Sequence, residues 1–103
     1  MSHQPIAIGF DDTLSSYITG IYNSHYTYWT LRNEQGQIVY QKYTATKAMQ
    51  PTDLKMSLSD AHFYIIGREH LATPQTGFII KVIQATGLLA WSKFINRAQH
   101  SYH

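Results

Sequence analysis

Ile6, Ile8 and Phe10 alternate with Ala7 and Gly9 near the start of the chain, and this period of two predicts a strand over 5–10. Pro5 suits its first position, where a missing N–H costs least. The period then changes. Leu14, Tyr17, Ile18, Ile21 and Tyr22 fall at i, i+3, i+4, i+7 and i+8 behind Asp11 and Asp12, which predicts a helix over 12–22 with the aspartates at its N-terminus. Ile18, Thr19, Gly20 and Ile21 all lower helix propensity, so a strand over 16–22 competes.

From His25 to Thr44, two runs rich in Tyr, Trp, Thr, Ile and Val flank Asn33-Glu34-Gln35-Gly36 and predict a β-hairpin. With an even loop, Trp29 and Leu31 share the core face with Ile38 and Tyr40. Tyr26, Tyr28, Thr30, Arg32, Val39, Gln41 and Tyr43 then face the other way. Residues 45–60 admit either a short strand through Leu54, Met56 and Leu58 or a loop anchored by them. The apolar runs 61–67 and 78–85 are short and bounded by Asp60, Gly67, Gly77 and Gly87, as buried strands are. Leu88, Trp91, Phe94, Ile95 and Ala98 recur at helical spacing, with Lys93 and Arg97 opposite, and predict a closing amphipathic helix; residues 100–103 should fray.

The expected fold is therefore α+β: a mainly antiparallel sheet of about five strands with a central hairpin, and an N-terminal and a C-terminal helix packed on one face. Trp29, Leu31, Ile38, Ile65, Ile80, Trp91 and Ile95 form the expected core. No internal repeat or linker divides the sequence, so residues 1–103 read as one domain.

Composition narrows the chemistry. The chain is 44% hydrophobic and only 14% charged, with a formal net charge of +2, which is not the dense positive field of a dedicated duplex binder. The absence of cysteine removes disulfides, thiolate zinc sites, iron–sulfur clusters and cysteine nucleophiles. No apolar run is long enough for a membrane-spanning helix, and the start lacks the pattern of a signal peptide, so a cytoplasmic protein without a membrane partner is expected.

Catalytic patterns are sparse. Ile6 to Leu14 is similar to the first motif of the haloacid dehalogenase-type phosphatases, in which an apolar strand ends in a nucleophilic Asp, followed two residues later by an acid/base Asp and then a Thr. Asp11 and Thr13 fill the last two places, but the nucleophile position is Gly9, which excludes that chemistry. The six histidines have no metal-ligand spacing, and His3, His100 and His103 read as solvated. Neither an enzyme, a metal nor a cofactor is expected.

Tyrosine stands out instead: six of the eight lie between 17 and 43. Tyr26, Tyr28, Arg32, Gln41 and Tyr43, on the hairpin face away from the core, are the candidate contacts for a folded protein partner, in the manner of an inhibitor, immunity-type or adaptor module. The same surface could stack bases of a single-stranded nucleic acid, with Lys42, Lys47, Lys93 and Arg97 as candidate phosphate contacts.

Overall fold

The computed structural model describes residues 3–23, 26–44, 49–57, 59–69 and 77–95, and over them the chain is all-β rather than α+β. Strands β1 (His3–Phe10), β2 (Ser16–Tyr22), β3 (Tyr26–Arg32) and β4 (Ile38–Tyr43) form one antiparallel meander. Strands β5 (Met49–Ser57), β6 (His62–Glu69), β7 (Gly77–Ile83) and β8 (Leu89–Ile95) form a second. Both expected helices are corrected to strands. Over 16–22 the β-branched Ile18, Thr19 and Ile21 win, and β2 pairs with β1 and β3 on its two edges. Over 89–95 the apolar spacing fits either period. Gly87, in the left-handed conformation with φ of 75°, turns the chain back so that β8 pairs along β7. A helix there would have left the apolar β7 with an uncovered edge. The predicted fraying of 100–103 and the helical position of Ala98 lie outside the described residues.

The sheets pack face to face, with β5 lying across β1, β2 and β3. Their core contains Tyr17, Trp29 and Leu31 from the first sheet and Leu54, Phe63, Ile65, Phe78, Ile80 and Val82 from the second, with Ala7, Tyr40 and Met56 packed against them. Three expected core residues are elsewhere: Ile38 is 49% exposed, Ile95 is exposed, and Trp91 is half-buried. Ile38 changes face because of a bulge. Leu31 pairs with Tyr40 but Arg32 pairs with Ile38, so Val39 is the extra residue and the even-loop register fails at that point.

An internal repeat, absent from the sequence reading, is plain in the backbone. Each sheet opens with Gln-Pro, at Gln4-Pro5 and Gln50-Pro51, and each has a bulge immediately after the proline. A second bulge recurs in the last pairing of each sheet, at Leu31/Arg32 and at Lys81/Val82. Left-handed residues recur as well, Leu14 and Ala61 in the first turns and Gly36 and Gly87 in the last. Gly20 and Gly67 pair with the two prolines, and a Cβ on either would strike the carbonyl oxygen of Gln4 or Gln50.

Matching the sheets by register equates Ile8 with Leu54, Phe10 with Met56, Ile18 with Ile65, Tyr28 with Phe78, Tyr40 with Trp91 and Tyr43 with Phe94. The equivalent faces do not meet. Leu54, Ile65 and Phe78 point into the core, whereas Ile8, Ile18 and Tyr28 lie on the side of the first sheet turned away from the second. The halves therefore stack in the same sense, as consecutive repeats do, and each end of the stack presents a different face.

Candidate functional site

Strand alternation dictates what the outer face of the first sheet carries. Tyr17, Trp29, Leu31 and Tyr40 turn inward, which sends Ile8, Phe10, Ile18, Tyr28, Thr30, Arg32, Gln41 and Tyr43 outward. One end of this face is aromatic. The His3 ring lies 4.6 Å from that of Tyr22 and 4.8 Å from that of Tyr28, the latter edge-on, and Tyr22 lies 4.8 Å from Tyr43. The Tyr43 hydroxyl donates to Gln41 Oε1 at 3.2 Å and lies 3.0 Å from His3 Nε2, while Gln41 Nε2 donates to Thr30 Oγ1 at 2.9 Å. This chain of hydrogen bonds across β1, β4 and β3 fixes the rings relative to one another.

The other end is apolar and open, with Ile8 54% exposed and Phe10 55% exposed. A shallow concavity of about 420 Å³ joins the two ends, lined by residues including His3, Ile18, Tyr28, Arg32 and Ile38. Arg32 Nη1 donates to the Gly36 carbonyl at 2.7 Å, which ties the guanidinium back to the β3–β4 turn.

The sequence-predicted site residues divide. Tyr28, Arg32, Gln41 and Tyr43 do share one face, and Tyr26 lies on it beside Tyr22. Tyr28 is not a surface residue, however: at 4% exposure it is covered by neighbours that include His3 and Tyr43, and burial pushes its phenol pKa up. His3, expected to be solvated, is the hub of the cluster. The cations do not converge with the tyrosines. Lys42 lines an apolar cleft of about 370 Å³ between β4 and β8, with Trp29, Ile80 and Phe94, and Lys93 sits on the second sheet, 4.7 Å from the Trp91 ring centroid. Lys47 and Arg97 lie outside the described residues. Ile8, Phe10, Ile18, Ile38, His3 and Tyr22 are the site residues missed by the sequence reading. The alternation of Ile6, Ile8 and Phe10 was the available signal, but it marks an apolar face without saying whether that face is covered.

The far side of the molecule, the outer face of the second sheet, has a different character. Lys81 lies over the rings of Tyr64 and Trp91, at 5.6 and 5.9 Å from their centroids, and 3.7 Å from the Asp60 carboxylate. Lys55 pairs with Asp53 at 3.3 Å. The hydrogen-bonding Ser57 side chain, with Lys81 and His62 beside it, holds the Asp60 carboxyl below the ordinary carboxylate range.

Asp11 is a structural residue in the β1–β2 turn, in place of the expected helix cap. Its Oδ1 accepts from Thr13 N, Thr13 Oγ1 and Ser15 N, and its Oδ2 accepts from the Tyr17 hydroxyl at 2.8 Å. Among the described residues there is no cluster of three or more His, Asp or Glu able to hold a metal ion, and no helix long and apolar enough to cross a membrane. No family model matches the chain, and neither a curated protein nor a solved structure matches it significantly.

Proposed function

We propose that the chain is a non-catalytic docking module that holds a folded protein partner against the outer face of its first sheet. One observation carries this reading: half-exposed Ile8, Phe10 and Ile38 share a sheet face with the ordered His3, Tyr22, Tyr28 and Tyr43 rings. An antiparallel sheet that turns one face to water normally places polar side chains there. Exposed apolar side chains gathered on one sheet face are a mark of an interaction site. Rings already locked by the Tyr43–Gln41–Thr30 hydrogen bonds lose little freedom on contact, which favours binding.

Among the described residues, Arg32 is the one Lys or Arg on this face, which supports a protein partner over a strand of nucleic acid. The test is affinity capture from nuclease-treated lysate with the tagged chain and with an Ile8→Glu, Ile38→Glu variant, both checked for folding by circular dichroism. The expected result is a protein, untagged copies of the chain added to the lysate included, held by the wild type and lost by the variant. Equal capture by both sinks the reading. Capture that requires nucleic acid and falls steeply with salt transfers it to a stacking platform.

A further inference from the structure

Resting on that reading, we infer that the occupant of the docking face is the same face of a second copy of this chain, packed about a two-fold axis. The internal repeat says what kind of cover the face takes. Ile8, Ile18 and Tyr28 occupy the positions that Leu54, Ile65 and Phe78 occupy in the second sheet, and those three are buried there by the stacking of one sheet on another. Among the described residues, the first sheet thus ends the stack with a core-type face and no sheet upon it.

The molecule offers two exposed sheet faces as the mate, and charge selects between them. At the positions held inside by Ala7, Gly9 and Leu31, the outer face of the second sheet carries Asp53, Lys55 and Lys81, and it carries Lys93 besides, set among Tyr64, Ile66, Ile79 and Trp91. Covering it would strip water from four charged groups, at a cost in desolvation that their Coulomb attraction rarely recovers. Charged outer faces of this kind cap the ends of repeat stacks. Head-to-tail contact would also be heterologous and would grow into an open filament, whereas apolar face on apolar face is isologous and closes at two copies. Arg32 brings one charge per copy to the apolar face, held at the β3–β4 turn by its hydrogen bond to the Gly36 carbonyl, against four charged groups on the other face.

The size is adequate. Four strands of about seven residues present roughly 450 Å² in plan before side-chain relief is counted. Two such faces then bury more than the ~1,000 Å² expected of a biological interface.

Sedimentation velocity of the purified full chain over a wide concentration range tests the inference. A species of twice the chain mass is expected, and Ile8→Glu should weaken its association at least about 30-fold, the scale of one interface hot spot. Phe10→Glu, at a second exposed position, should do the same, and both variants should keep the wild-type circular dichroism. Lys81→Glu, on the opposite end, should leave the dimer intact. A wild type that stays monomeric throughout overturns the inference, as does a dimer that survives Ile8→Glu and Phe10→Glu, or a species that keeps growing with concentration. A monomer that still captures another protein through Ile8 and Ile38 refutes the second copy alone, and a monomer that captures nothing refutes the docking reading with it.

Discussion

At the scale of single residues, polar chemistry that suggested catalysis or capping turns out to hold a turn together. Asp11 gathers four donors, three from Thr13 and Ser15 in the turn that connects β1 to β2 and the fourth the Tyr17 hydroxyl of β2. Desolvation by itself raises the Asp11 pKa, but the bonds from Thr13, Tyr17 and Ser15 outweigh it and hold the carboxyl below its ordinary 3.8. Its stabilising contribution is therefore complete above that ordinary value and disappears as pH falls through the lower, folded value. Tyr17 has the opposite sign. Burial, with the Asp11 hydrogen bond adding to it, pushes the phenol from 10.0 up to about 12. Its contribution is whole below pH 10 and is lost as pH rises through 12, and burial moves the Tyr40 phenol in the same direction. Urea midpoints measured across pH should fall at both extremes, and Tyr17→Phe should remove part of the alkaline fall. Asp11→Ala should cost about 2 kcal/mol at neutral pH, because it removes the acceptor shared by two backbone N–H groups and two hydroxyls of the β1–β2 turn and leaves the part-buried Tyr17 hydroxyl with the Gln84 side chain alone; an unchanged urea midpoint would refute this role. The sequence showed Asp11 and Asp12 as the end of a strand. It could not show that the acceptor's partners would be Thr13, Ser15 and Tyr17 instead of helix N–H groups, because both geometries use an Asp at that place.

At the scale of elements, strands with clean alternation or short bounded apolar runs were legible: β1, the β3–β4 hairpin, β6 and β7. The helical readings over 12–22 and 88–95 failed where apolar residues fit both periods. Over 16–22 the β-branched Ile18, Thr19 and Ile21 held the local clue, whereas over 89–95 the decision belonged to pairing along β7, which leaves no local trace. The Gln-Pro bulges show how local sequence does act. Each proline withdraws one N–H from the ladder, the next residue is extruded, and the backbone of β1 or β5 closes onto the glycine paired with it. Gly20→Ala and Gly67→Ala should each destabilise by about 3 kcal/mol or more, since the new methyl meets main chain and cannot be relieved by a rotamer change. The same substitution at Gly36, where a Cβ would touch nothing within 4 Å, should cost only the strain of its positive φ, about 1 kcal/mol. Thermal melts of the three variants would compare them directly, and Gly67→Ala melting no lower than Gly36→Ala would show that the bulge gives way.

At the scale of the whole molecule, the repeat explains both what holds the fold together and what it leaves open. It escaped the sequence reading because the halves share little beyond Gln-Pro, a Tyr-Ile-x-Gly run at Tyr17–Gly20 and Tyr64–Gly67, and Lys42 and Lys93. The inversion of faces hides it further: matched positions meet opposite surroundings, so Leu31 answers to Lys81 and Ser16 to Phe63. Selection for burial cannot preserve side chains at positions that differ in burial, although the backbone register survives. This asymmetry has a measurable consequence. Leu54 is 5% exposed and wedged between the sheets, whereas its equivalent Ile8 is 54% exposed on the docking face. In dilute protein, where no second copy is bound, Leu54→Ala should cost about 2–4 kcal/mol and Ile8→Ala less than about 1 kcal/mol. At high concentration the Leu54→Ala loss should stay where it was, while the Ile8→Ala loss should grow by whatever the wild type gains from its partner, since binding stabilises the native state by mass action. Denaturation curves recorded at two protein concentrations measure both quantities. If the wild-type midpoint does not move with concentration, the exposed face has no mate in this chain, and the difference between Leu54 and Ile8 reports burial within one molecule only.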